Sequence, residues 1–362
     1  MDDALIDDSK LTLEERSLLP KKGFFRLDSM REDAQTSQFA EYLAGKKYVM
    51  LVDGDADGLA AAVLGKIAFP EDDFEYVTTS PNDLYKSVDM LAKHVDEDAE
   101  VYVVDLCLDA VNKAVASPLE YLAGKTSGLH WYDHHQWREE TLDALDALGV
   151  DLVVGESDEV CAADVTLQEL EDEGYEFPDY IRELVTVTRD HDLWINDDDR
   201  SKDLADLSQF MDTEEYVSEI EENGADVSDG CKGLLERKRR EKDRLVELAV
   251  NRVRFEEIGD IRLAQTYGRC SQNEVAEDLR ERGADAVTVV KPEGGMSIRG
   301  SEGFEKCHVV AEKMGGGGHP QAAGCKPDIF DNMLDYAMHW VTQGEVAQNR
   351  ALETFVEVIE EE

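Results

Sequence analysis

The chain has 362 residues, 42% of them hydrophobic and 33% charged, enough for two or three domains with real cores. Asp and Glu number 83 against 37 Lys and Arg, a formal charge of -46, so overall charge argues against a polyanion binder. No apolar run reaches the roughly 18 residues of a membrane span, the acidic start MDDALIDDSK has no signal-peptide core, and six scattered Cys make neither a disulfide framework nor a zinc ribbon. Reduced thiols and a cytoplasmic location are expected.

Residues 1–40 are polar and irregular, with a short helix expected near Leu11–Leu19. From Tyr48 the run YVMLVD predicts a buried strand, followed by DGDADG and a helix over LAAAVLGKIAF. Phe74–Thr79 predicts a second strand and Leu84–His94 a helix. EVYVVDL (Glu100–Leu106) predicts another strand that ends in an aspartate, and Val111–Leu122 a helix. GLHWY (Gly128–Tyr132) predicts a strand that runs into DHH. A helix at Thr141–Leu148, a strand at Asp151–Val154 and helices at Ala162–Glu173 and Tyr180–Thr188 complete an alternating pattern, which argues for a parallel sheet. Sites in such sheets form beyond the carboxyl ends of the strands, where three acidic strand ends should converge.

Residues 196–230 read as acidic loop, and Leu234–Arg254 as a long helix. A second α/β region follows. It has a strand at Ile261–Thr266, a helix at Gln272–Arg282, a strand pair around PEGG, a helix at Lys306–Lys313, then GGGGHPQAAG and a helix from Phe330 to Thr342. The tail at 353–362 reads as acidic and frayed.

The acidic residues are spread evenly and Lys is scarce. That surface is similar to those of proteins from a salt-loaded cytoplasm, such as a halophilic archaeon's. In molar salt the Debye length is about 3 Å, which screens self-repulsion.

Several clusters can carry chemistry. Asp53, Asp55 and Asp57 alternate in a turn where Gly54 and Gly58 permit a sharp bend, and carboxylates so spaced can hold a hard cation. Asp133-His134-His135 places two of only eight His side by side after a strand, and neutral imidazole is a metal ligand. Asp105 alone reads as a turn or cap residue. Asp190 and Asp192 in TRDHD are each candidate ligands. Gly315–Gly318 followed by His319 can bring backbone N–H groups close to a phosphate, and Arg299 can pair with one bidentately.

In this order, DGDADG, a strand-terminal Asp, DHH, a later Asp and GGGGHPQAAG resemble the DHH phosphoesterase superfamily with its DHHA1 domain, the group of RecJ exonucleases and nanoRNases. The resemblance covers roughly 46–345. It implies an α/β fold: a doubly wound, mainly parallel sheet (DHH domain) joined by a helical linker to a smaller α/β DHHA1 domain. The boundaries implied are an extension at 1–40, the DHH domain at 41–205, an acidic loop and helical linker at 206–255, DHHA1 at 256–345 and an acidic tail at 346–362. It also implies two Mn²⁺ ions, or Mg²⁺, on Asp53, Asp55, Asp105, His134 and Asp190, with Asp192 as the second choice for the last position. Asp133 and His135 would be catalytic, and His135 would face the scissile phosphate. Arg299, Gly316, Gly317, Gly318 and His319 would bind substrate, the site lying in the cleft between domains. Val49 stands where some branches of the family carry a His, which argues against a pyrophosphatase-like member.

The activity implied is hydrolysis of single-stranded or short oligonucleotides from an end to mononucleotides. Two cations about 3.5–4 Å apart would activate water. The alternatives are a small-nucleotide phosphoesterase, acting on cyclic dinucleotides or 3′-phosphoadenosine 5′-phosphate, and a non-catalytic replication scaffold. Further candidate partners are replication or repair proteins and a second copy of the chain; a membrane is not among them. Glu236–Arg244 carries six Lys/Arg and three Asp/Glu, either a nucleic-acid guide or an exposed ion-paired helix. Tyr132 and Trp137 are candidates for base stacking.

Overall fold

The computed structural model describes residues 12–18, 39–81, 83–108, 110–111, 113–327 and 333–360. The chain forms two compact units, Glu32–Glu236 and Arg237–Glu362, the latter together with the described part of Met1–Arg31.

The first unit is built on a five-stranded parallel sheet of order β2-β1-β3-β4-β5. The strands are β1 (Tyr48–Asp53), β2 (Phe74–Thr79), β3 (Glu100–Val104), β4 (Gly128–Asp133) and β5 (Asp151–Val154). Apolar residues alternate between its faces. Met50 and Val52 pack under α2 (Ala56–Ala68), while Val49 and Leu51 pack under α3 (Leu84–His94) and α4 (Lys113–Lys125). Strands buried on both sides need such continuous apolar runs, which explains YVMLVD and EVYVV. The chain steps from β1 outward to β2 and then crosses back over β1 to β3, so the sheet has its switch point between β1 and β3. α5 (Glu139–Ala147) completes the α3–α4 face.

The α2 face also carries α6 (Ala162–Asp172), α7 (Asp179–Asp192), α8 (Asp199–Phe210) and α9 (Thr213–Asn223). The last two correct the acidic loop expected over 196–230. Their acids sit at helix starts: Asp198 accepts from the Arg200 N–H at 2.9 Å and Asp212 from the Glu214 N–H at 3.1 Å. Leu204, Leu207, Tyr216, Val217 and Ile220 are buried beneath them.

The long helix α10 (Asp229–Asn251) leads into the second unit. Its mixed sheet has the order β10-β11-β9-β8-β7-β6, made of β6 (Arg254–Ile258), β7 (Ile261–Tyr267), β8 (Ala286–Val290), β9 (Met296–Gly300), β10 (Gly317–His319) and β11 (Ala322–Cys325). One face packs on α11 (Gln272–Glu281), the other on α12 (Cys307–Lys313) and α14 (Glu345–Glu360). α14 corrects the frayed tail: Ala347, Ala351, Phe355 and Val358 form a buried stripe at helical spacing. The helix expected from Phe330 is described as α13 (Met333–Val341), with Phe330 itself outside the described residues. The short helix α1 (Leu13–Leu18) docks here, the Tyr267 hydroxyl donating to the Leu18 carbonyl at 3.0 Å and the Arg269 N–H to that of Ser17 at 3.0 Å. No helix among the described residues is long and apolar enough to cross a membrane.

The basic stretch of α10 is substantially ion-paired. Glu241 meets Arg16 at 2.6 Å, Lys242 meets Glu274 at 2.8 Å and Arg244 meets Glu247 at 2.5 Å.

Candidate metal centre

The ends of β1, β3 and β4 bring Asp53, Asp105 and Asp133-His134-His135 together. Beyond β1 the chain turns into α2, whose N-cap is Asp55. Its carboxylate accepts from the N–H groups of Asp57 (3.0 Å) and Gly58 (3.3 Å). A Cβ on Gly58 would lie 2.4 Å from the Asp53 carbonyl oxygen, so a close approach requires this glycine. Gly54 faces nothing nearer than 4.0 Å.

Asp105 follows β3 in the left-handed region (φ 60°), its N–H donating to the Tyr132 carbonyl at 3.0 Å. This conformation costs a non-glycine residue about 1 kcal/mol or more, and such strain concentrates at functional sites. His134 is 7% exposed, and its Nε2 lies 3.3 Å from the Asp192 carboxylate and 3.8 Å from that of Asp105. The Asp133 carboxylate is fully buried and accepts from His135 Nδ1 (2.8 Å) and Trp137 Nε1 (2.6 Å). It thereby sets the orientation of His135, whose side chain is half exposed.

Three groups of side chains have ligand atoms within 4.8 Å of one another: Asp53–Asp55–Asp105, Asp105–His134–His135 and Asp57–His134–Asp192. They share Asp105 and His134. The structure therefore brings together four of the five expected metal ligands, Asp53, Asp55, Asp105 and His134, and adds Asp192. Asp190 lies elsewhere. Its carboxylate accepts from the backbone N–H groups of Asp197 (2.9 Å) and Asp198 (3.2 Å), holding the turn after α7. The two acids are about 200° apart around a helix. Asp190 is buried and Asp192 partly so, and what separates them is their partners: backbone N–H groups for Asp190, His134 for Asp192.

Asp57, the third of the alternating acids, is not in the ligand set that the resemblance implies, yet it joins the cluster. It is 1% exposed and accepts from the N–H groups of Ala162 (2.7 Å) and Ala163 (2.9 Å), tying the β1–α2 turn to the start of α6. Tyr132, expected to stack on bases, is 1% exposed and belongs to the core, and Trp137 is committed to Asp133.

So many carboxylates in one place are costly. Burial and the charge of Asp55 push Asp53 up to about 6. Burial and Asp192 push Asp57 up to about 8. Burial and the surrounding Asp residues hold Asp105 well above the usual carboxylate range, and burial raises Asp192 against the pull of His134. The hydrogen bond to Asp133 raises His135. His134 Nδ1 is buried without a hydrogen-bond partner. Oxygen donors with imidazole at this spacing fit Mn²⁺ or Mg²⁺, which would neutralise the excess charge.

In the second unit Arg299, Ala322 and His319 occupy one cross-strand row over β9, β11 and β10. The Arg299 guanidinium donates to Asn273 Oδ1 (2.9 Å) and to the carbonyls of Ile298 (3.0 Å) and Ala323 (3.3 Å). The glycine run departs from the expected row of free N–H groups. Those of Gly315 and Gly316 donate to Glu312 and Ala311 carbonyls, and Gly317–His319 pair with Ala322–Gly324. Gly316 and Gly318 serve close packing, since a Cβ there would lie 2.1 Å and 2.6 Å from backbone oxygens; Gly317 faces open space.

No protein-family model matches the sequence, and no curated protein matches it. Among solved structures, the chain is similar to the DHH domain of a member of the S1p family of ribosomal proteins, at 14% identity over 90% of this chain and 95% of that one, TM-score 0.52. It is also similar to RecJ from Thermus thermophilus, solved in complex with Mn²⁺, at 16% identity and TM-score 0.50, covering 91% of this chain and 57% of RecJ. Fold and side chains thus define a mixed α/β protein of DHH-like fold with an acid–imidazole cluster at the switch point of its parallel sheet.

Proposed function

We propose that the cluster is a two-cation phosphoesterase centre, and that the protein hydrolyses single-stranded or short oligonucleotides from an end to mononucleotides. The observation that carries the reading is the convergence of Asp53, Asp55, Asp105, His134 and Asp192, from four separate stretches of chain, around the buried Asp105 and His134. The fold shared with RecJ, a protein solved with Mn²⁺, supports the same reading.

Divalent cations bound there would supply Lewis acidity toward a phosphodiester and promote attack by water. Asp53, Asp55 and Asp105 would hold one ion, and Asp105, His134 and Asp192 the other. Asp57 keeps the β1–α2 turn in place from below. With Nδ1 held by Asp133, His135 presents Nε2 to the phosphate, where it can donate a proton or hydrogen bond to an oxygen. Arg299 and His319 would bind a phosphate of the substrate through their shared row.

The test is cleavage in molar KCl with Mn²⁺. Substrates are end-labelled DNA and RNA from two to about thirty nucleotides, with cyclic dinucleotides alongside. Mononucleotide release is expected, and His134→Ala should slow it more than about 100-fold, beyond the usual loss from outer-shell changes at a metal site. No release from any oligomer overturns the reading. Cleavage confined to cyclic dinucleotides would replace it with a small-nucleotide phosphoesterase.

A further inference from the structure

Trp194 is the most exposed large hydrophobic residue among those described, at 78%, and its neighbour Ile195 is 50% exposed. They follow Asp192, which faces His134 at 3.3 Å. Two residues of chain span at most about 7 Å, so the backbone of this aromatic stands beside the cluster.

The turn that carries it is held at many points. The Trp194 N–H donates to the His191 carbonyl at 3.0 Å, and those of Ile195 and Asn196 to the Asp190 carbonyl at 2.9 and 3.1 Å. The Asp190 carboxylate accepts from Asp197 and Asp198 N–H groups. Trp194 and Asn196 both have left-handed backbone (φ 55° and 56°). Asn tolerates that region; a bulky aromatic does so only under restraint. Together with Asp105, they account for three of the four non-glycine residues of positive φ among those described. The Trp194 ring also rests against His191, centroids 5.8 Å apart. The fold thus accepts both backbone strain and an exposed indole next to its buried acids. Trp131 and Trp137, by contrast, have their N–H groups bonded, to the Leu106 carbonyl at 2.7 Å and to Asp133 at 2.6 Å.

We propose that Trp194 is a stacking platform for a nucleobase of the substrate whose phosphodiester is held at the acid–imidazole cluster, with Asp190 as the positioning residue that holds the platform. The proposal rests on the phosphodiesterase reading and deepens it, because it makes the substrate a nucleotide recognised through its base. Stacking suits this chain. Its net charge of -46 leaves little attraction for a polyanion, and salt weakens what remains, whereas a ring surface accepts any base.

The test is equilibrium binding to the Mn²⁺-loaded full chain. The ligands are a dinucleotide with a non-hydrolysable phosphonate linkage and its counterpart lacking the base at one end, prepared for either end. Trp194→Ala should lower affinity for the base-bearing ligand about 5- to 100-fold, the range of one base–aromatic stack. It should leave affinity for one of the two abasic ligands as in wild type, and Trp194→Phe should keep most of the affinity. Equal affinity of wild type and Trp194→Ala for the base-bearing ligand overturns the proposal, as does a loss of the same size on both abasic ligands. Hydrolysis by His134→Ala, measured in parallel, separates the two ideas. If that variant is inactive while Trp194→Ala binds normally, stacking alone is wrong. If the wild type neither binds nor cuts any oligonucleotide, both fall.

Discussion

The two units treat their polar residues in opposite ways. At the β1–β3 switch point, carboxylates and imidazoles from distant stretches crowd around the buried Asp105 and His134, His134 Nδ1 and one Asp192 oxygen have no hydrogen-bond partner, and burial raises Asp53, Asp57, Asp105 and Asp192. In the glycine-rich hairpin the polar groups are largely satisfied: Arg299 has three acceptors, and the Gly315 and Gly316 N–H groups are used within the sheet unit. Buried groups left short of partners are expensive, so the first arrangement suits a bound divalent cation, while in the second Gly316 and Gly318 are explained by packing.

The comparison is sharpest between two acids on one helix. Asp192→Ala should lower Mn²⁺ affinity and any hydrolysis more than about 100-fold, because it removes a member of the cluster. Asp190→Ala should instead cost about 1–3 kcal/mol of stability, since it orphans two backbone N–H groups, with Mn²⁺ affinity much less affected. Chemical denaturation and calorimetric metal titration of both variants check this. Equal losses of metal binding would erase the distinction.

Glycines offer the next contrast. Gly58→Ala forces a carbon to within 2.4 Å of the Asp53 carbonyl oxygen and should destabilise by about 1–3 kcal/mol while weakening Mn²⁺ binding. Gly317→Ala meets nothing within 4 Å and should change stability by less than about 0.5 kcal/mol.

A smaller effect concerns pH. Asp53 is raised to about 6 in the folded metal-free chain, against about 4 when unfolded, so the folded state holds its proton longer. Its contribution is present at low pH and lost as pH rises from about 4 through 6. In chelator, the melting temperature of Asp53→Asn relative to wild type should therefore rise between pH 4 and pH 7. Saturating Mn²⁺ should reverse the order, because the ionised carboxylate then gains a partner.

Much of this was legible in the sequence. YVMLVD, EVYVV and GLHWYD announce buried parallel strands, and their acidic ends mark where a site must form. Other features were hidden by composition. The acids of 196–230 mask two amphipathic helices, and those of the tail mask the buried stripe of α14. The edge strand β6, RFEEI, has too many charges to read as a strand. A strand buried on both faces gives no hint of which residues reach solvent, which is why Tyr132 reads as available for stacking and is not. Burial along α7 does not separate Asp192 from Asp190, since Asp190 is the more buried of the two; the difference lies in the turn after the helix, whose N–H groups Asp190 accepts from.

The central claim is that the acid–imidazole cluster binds divalent cations as a pair. A Mn²⁺ titration of the full chain in molar KCl, read by electron paramagnetic resonance, tests it most directly. Two tightly bound, magnetically coupled ions per chain are expected, with the coupling lost in His134→Ala. No saturable binding, or binding that His134→Ala and Asp192→Ala leave unchanged, would contradict the account.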